Sequence, residues 1–373
     1  MKLHADAWVE VRSKEEILRT LDKNGRLDEL PFMPQMFQYC GGRFRVFKTA
    51  YKTCDTVSGD YAGRHLADGV HLNVRCDGQA YGGCQAGCLI FWKTAWLKPV
   101  DGPGRSRPMP DGEKPPFNDP HRQDLCTDRD VWRATKSEDA AGETRYACQA
   151  TQLLKYTAPL KWWDARQYVD AYTSGNRTLL EVCRGLWFLF YSYATLAISD
   201  RWGGPARWLY NKFQAVTGGV PFPRLKGKIP AGQPTPRRDL DLQPGDLVRV
   251  KPCDEILATL NTRLSNRGLS FDAELVPFCG KVFRVAARVE RFVDEKSGQM
   301  RRMKTPAVML DGVTCRALYC GRRMFCSRSI HLWWREAWLE RIPDGACPEP
   351  LSPSRLAHAQ QQKAQHRASA AAE

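Results

Sequence analysis

The sequence predicts an α+β fold in which two duplicated small β-barrel modules flank a helical middle segment, with Pro-rich linkers between them. Three observations carry this expectation: the chain matches itself at a constant offset, each copy opens on alternating apolar residues, and Pro and Gly crowd the stretches that separate the copies. The expected divisions are a Cys/Trp-rich module at 1–99, a linker at 100–125, helices over 126–217, a basic linker at 218–244, a second module at 245–349 and a disordered tail at 350–373.

The self-match comes first. WVEVRSKEEILRTL at 8–21 pairs with DLVRVKPCDEILATL at 246–260, with Val11 on Val250 and Ile17-Leu18 on Ile256-Leu257 at an offset of 239. The same offset places Cys40-Gly41 on Cys279-Gly280, Phe44-Arg45-Val46 on Phe283-Arg284-Val285 and Cys76 on Cys315. After a short insertion Cys84 meets Cys326, Trp92 meets Trp334, and Ala95-Trp96-Leu97 meets Ala337-Trp338-Leu339. A period of two at the start of each copy reads as a half-buried strand. EEILRTLDKNG and DEILATLNTRL read as short helices with acidic starts suited to the helix dipole. Further strands are expected at 44–47 and 70–76 and at their partners 283–285 and 308–315. FWKTAWL and WWREAWL place two Trp four apart, one face of a helical turn.

The opening GDLVRVK and the later run Tyr39-Cys40-Gly41-Gly42-Arg43-Phe44-Arg45-Val46 resemble the SH3-like barrels of the nitrile hydratase β-subunit and KOW kind. The resemblance covers the first part of each copy, and the Cys/Trp part departs from it. It implies a barrel and no activity, because a fold does not fix a function.

Between the copies, 101–125 and 218–245 hold six prolines each, a composition suited to linkers or extended arms. WWDARQYVDAY, LLEVCRGLWFLFYSYATLAI and RWLYNKFQAV carry helical patterns. The uncharged stretch at 185–199 is 15 residues long, short of the ~20 that span a bilayer. It reads as a buried helix. With the aromatic and basic residues that follow it, the region 185–212 also fits a membrane-surface contact.

Composition is globular, with 43% hydrophobic and 26% charged residues. The N-terminus MKLHADAW lacks the apolar core and cleavage site of a secretory signal. A cytoplasmic location is therefore expected, with most of the 14 cysteines reduced. Cys76, Cys84 and Cys88 are spaced C-x7-C-x3-C, with Cys40 and Cys54 as possible fourth ligands. Cys315, Cys320 and Cys326 are spaced C-x4-C-x5-C, with Cys279 available. Closed structural zinc wants four S/N ligands, so zinc is the first cofactor expectation. An iron–sulfur cluster uses the same ligands, and free Cys also fills small core positions. His71 and His331 lie on expected strands as metal ligands or polar strand-face residues. Cys183 reads as core, and Cys148 as a thiol lacking a nearby His to activate it. No phosphate loop, dinucleotide fingerprint, nucleophile elbow or H-E-x-x-H motif occurs.

The net charge of +15 is uneven. Residues 201–250 carry nine Lys+Arg against three acids, and 301–373 carry twelve against six. Arg301, Arg302, Lys304, Arg316, Arg322, Arg323 and Arg328 lie beside the second cysteine set, and Lys226, Lys228, Arg237 and Arg238 lie in the arm. Clustered Arg beside Trp333, Trp334 and Trp338 is a footprint of polyanion binding, nucleic acid first. The expected function is a binding protein whose metal-stabilised modules hold a polyanion through the basic second half. The alternatives are a metal- or thiol-dependent enzyme or accessory subunit of a biosynthetic pathway, and a peripheral membrane protein.

Overall fold

The computed structural model describes residues 3–103, 125–197, 200–217, 227–230 and 232–343. Most of the first linker, the start of the second with Lys226, and the tail lie outside the described residues. Helix and strand are mixed, and the strands form several small sheets, as an α+β fold requires.

The first strand, Trp8–Val11, buries Val9 and Val11 on its inward face. It runs antiparallel between Arg43–Arg45 and Leu97–Pro99. After Val46 and Phe47 the chain resumes as Lys48–Thr49, which pairs with Gly69–His71; that strand pairs in turn with Trp92–Lys93. In the second half Leu247–Val250 lies between Val282–Val293 and Leu339–Arg341. Val282–Val293 pairs with Met300–Thr314, and Met300–Thr314 with His331–Trp334. The second half is therefore one five-stranded antiparallel sheet, whereas the first splits the same strand order over two three-stranded sheets.

These sheets stay open, and no closed barrel forms among the described residues. Closure would require the fourth and fifth frame strands to pair. Instead a 3-10 turn, Thr94–Trp96 or Glu336–Trp338, separates them. The aromatic closing segments are thus strand, tight turn and strand, where the Trp spacing predicted a helical turn. Trp92, Trp96, Trp334 and Trp338 are fully buried.

The short helices are shorter than their pattern. Lys14–Leu18 begins on a Ser13 capping box and ends before Asp22, whose side chain accepts from the Asn24 amide and starts a turn. The matching helix is Cys253–Leu257.

The middle segment is only partly helical. Arg166–Thr173, Leu179–Ala197 and Asp200–Thr217 are helices. Before them a hairpin pairs Lys136–Glu138 with Thr144–Tyr146, and Ala158–Pro159 adds a strand to Gly63–His65. Helix Leu179–Ala197 buries Val182, Phe188, Leu189 and Tyr191 against Met324 and Phe325 of the second half. Its other face is open: Leu179, Leu180, Leu186 and Phe190 are exposed, and Cys183, expected in the core, is exposed too. No helix among the described residues is long and apolar enough to cross a membrane.

Candidate functional site

The thiols group through space in a way their sequence spacing did not indicate. Cys76, Cys84 and Cys88 line one small cavity of about 40 Å³, and its fourth thiol is Cys148, from the middle segment. Neither Cys40 nor Cys54 reaches it. Cys40 is half-buried beside Glu15, Lys14 and Asp128, and burial pushes its thiol up to about 12. Cys54 leaves the first set altogether: it is buried with Cys315 and Cys326 of the second half. There the Cys54 thiol hydrogen-bonds to Cys326, which raises Cys54 and lowers Cys326 below the ordinary thiol range. The guanidinium of Arg328 and the ammonium of Lys52 also favour the Cys326 thiolate. Cys320 lies half-buried near Arg323, and the free thiols of Cys279 and Cys253 share a hydrogen bond. As the side chains stand, no group of three or more His, Cys, Asp or Glu among the described residues is arranged to hold a metal ion.

The cavity is built by a tightly wound loop. Gly78 has φ +72°, and a Cβ there would lie 1.9 Å from the Cys84 carbonyl oxygen, so only glycine fits. The Cys76 amide donates to the Cys88 carbonyl, closing the loop at 2.8 Å. The Val293 amide donates to Cys84 Sγ at 3.3 Å, and Gln35 Nε2 donates to Cys76 Sγ at 3.1 Å. Burial raises the thiols of Cys76, Cys88 and Cys148. A raised thiol is the opposite of an activated nucleophile.

Both histidines are packed. His71 is fully buried, with Nδ1 donating to the Ile90 carbonyl at 2.8 Å, and burial lowers it to about 3. His331 is lowered to about 4, again by burial first.

The arginines expected to meet a polyanion divide into two kinds. Arg323 and Arg328 are buried, paired with Asp272 and with Glu295 respectively, so their charges serve the interior. Arg316 and Arg322 are exposed, the first over the Phe278 ring and the second 3.7 Å from Asp60. Arg237 and Arg238 are exposed in the arm, with Arg237 paired to Asp239. Arg301, Arg302 and Lys304 stand exposed on the hairpin Val282–Val293/Met300–Thr314. Arg291, which charge counting had not singled out, is exposed directly opposite Arg302 in the register. None of these four hairpin cations forms an ion pair among the described residues, and Phe292 packs its ring 5.1 Å from Trp333 nearby.

The hairpin and the thiol loop are fastened together. Gln85 Oε1 accepts from the amides of Glu290 and Arg291, and the Gln85 amide donates to the Arg291 carbonyl. No protein-family model matches the chain, and no curated protein is significantly similar to it.

Proposed function

We propose that the chain is a binding protein made of two duplicated SH3-like modules, and that it holds a polyanion, nucleic acid first, on the cationic hairpin of its second half. The observation that carries this reading is the cross-strand pair Arg291 and Arg302, with Lys304 two residues beyond Arg302 on the same strand. Like charges directly opposite each other in a sheet destabilise it, so an external anion is what such a pair suits. Duplication is supported by the recurrence of the strand order and of the 3-10 turn in both halves. The metal part of the reading assigns zinc to the cysteines.

The test is a salt titration of binding to a mixed-sequence oligonucleotide. Three phosphate contacts give a slope of log K against log salt of about −2 to −3, and the pair Arg291→Ala and Arg302→Ala should flatten it by about 2. A slope near zero, or no binding at low salt, overturns the reading.

A second reading rests on the open apolar face of helix Leu179–Ala197, where Leu179, Leu180, Leu186 and Phe190 lie uncovered. That face suits a lipid surface. Co-sedimentation with anionic vesicles, lost in Leu180→Glu/Phe190→Glu, would support it, and no sedimentation of the unmodified protein would overturn it.

A further inference from the structure

The cavity between the first half and the middle segment deepens the metal part of the proposed function and is independent of the polyanion part. Its wall carries four thiols, from Cys76, Cys84, Cys88 and Cys148, together with Glu295, Arg328, Gln149 and apolar side chains. Gln149 and Glu295 are committed to partners of their own. Gln149 donates to the carbonyls of Pro31 and Phe91 and accepts from the Phe91 amide. Glu295 accepts from Arg328 and from Thr56.

We infer that Cys76, Cys84, Cys88 and Cys148 form a four-thiolate site for a single zinc-class ion, which ties the middle segment to the loop that carries the hairpin. Four sulfurs around one ion make the closed tetrahedral set of a structural zinc site. The volume suits one ion. The thiols line the wall without converging, so loading turns them inward about χ1, the one side-chain torsion of cysteine, between staggered wells. Two of them already accept N–H donors, from Gln35 and Val293, the second-layer contacts that steady a thiolate ligand. Burial raises the thiols of Cys76, Cys88 and Cys148, and ligand thiols give up their protons to solvent as zinc binds. Gly78 is needed because the loop wraps too closely for any side chain.

Sequence spacing pointed to Cys40 or Cys54 as the fourth ligand. The site assigns Cys148 instead, 60 residues beyond Cys88.

The test uses the full chain, stripped of metal under reducing conditions and titrated with Co²⁺ and then Zn²⁺. The expected result is a sulfur-to-cobalt charge-transfer band and strong tetrahedral d–d bands, displaced by Zn²⁺. Cys148→Ser should weaken Zn²⁺ binding at least about 100-fold and reduce the charge-transfer intensity by about a quarter. Cys40→Ser should change neither. Cys148→His, which restores a nitrogen ligand, should bind again with shifted d–d bands, and it replaces Cys148→Ser if that variant does not fold. The inference is overturned if Cys148→Ser titrates like the unmodified protein, if Cys40→Ser is the variant that loses the ion, if no charge-transfer band forms, or if the purified protein carries an iron–sulfur chromophore. None of these readouts involves oligonucleotide, so the polyanion reading can fail without touching this one.

Discussion

The two halves place the same rings in the same frame and differ in how they satisfy the polar groups around it. In the first, Phe32 meets Trp96 edge-on at 5.2 Å; in the second, Phe271 meets Trp338 at 5.4 Å. Trp96 Nε1 donates to Thr20 Oγ1 at 3.0 Å, and Trp338 Nε1 to Thr259 Oγ1 at 3.0 Å. Beside these constants the buried cations diverge. Lys93 pairs with Asp28, whereas its counterpart Arg335 spreads its guanidinium over the carbonyls of Asn266, Arg267, Thr305 and Pro306. The difference teaches that the aromatic packing sets the frame, while each polar position adapts to its own surroundings. What is peculiar to one half, the thiol loop in the first and the long cationic hairpin in the second, is where specific binding belongs.

The largest expected effects test whether the frames are energetically equivalent. Trp96→Ala and Trp338→Ala each empty a fully buried site and remove one hydrogen bond. Each should cost about 3–5 kcal/mol in urea unfolding. Losses that differ by more than about 2 kcal/mol would break the equivalence.

Next in size is the contrast between the two buried cations. Arg335→Ala leaves four carbonyls short of a donor, that of Asn266 buried and the other three part-buried, and should cost about 3 kcal/mol. Lys93→Ala should cost about 1 kcal/mol or less, because Asp28 is 72% exposed in its side chain and is resolvated by water. Equal losses in urea unfolding would mean that the ion pair and the carbonyl cage are interchangeable, against the geometry.

What could be read from the sequence follows this same division. The frame was legible because Trp, Phe and Val recur at a fixed offset, and packing demands large rings at fixed positions. The break of the second strand falls at Val46-Phe47, where the alternation of RFRVFK fails with two apolar residues in a row. The thiol groupings were invisible for a geometric reason: Cys54 and Cys326 are 272 residues apart, and no local spacing encodes their contact. Charge counting failed at Arg323 and Arg328 because it cannot tell a buried pair from a solvated one. It missed Arg291 because the cross-strand neighbour that gives it meaning, Arg302, is set by register.

The histidines sharpen the comparison through pH. His71 stands where the second half has Leu310, and His331 stands where the first has Leu89, so each half sets one imidazole, buried at His71 and half-buried at His331, at a place the other fills with leucine. Native His71 takes up a proton only near pH 3, but in the unfolded chain it does so below about 6.5. Between those values the unfolded state binds more protons, so stability falls as pH falls, by about 1.4 kcal/mol per pH unit at most. His71→Leu should flatten the urea midpoint between pH 6.5 and 5, a change of about 2 kcal/mol relative to the unmodified protein. His331→Leu should do so nearly as much over that window, since its native value of about 4 also lies below it, and the two variants should part only below about pH 4. If both variants keep the full acid slope, the carboxylates and not the imidazoles set it.

The smallest effect lies at the start of the short helices. Ser13 caps Lys14–Leu18 with a reciprocal bond to Glu16: the Glu16 amide donates to Ser13 Oγ at 3.2 Å, and the Ser13 amide donates to Glu16 Oε2 at 3.0 Å. Pro252 stands at the matching place and offers no side-chain acceptor. Ser13→Ala should cost about 1 kcal/mol. Pro252→Ser should return about half of that to the second half, since it restores an acceptor and Glu255 is already in the third helical position for the reciprocal bond. Proline's fixed φ opposes the gain, because its removal frees the unfolded chain. A net loss in Pro252→Ser would therefore show that chain stiffness outweighs the cap, and that the second half keeps proline there for its effect on the unfolded state.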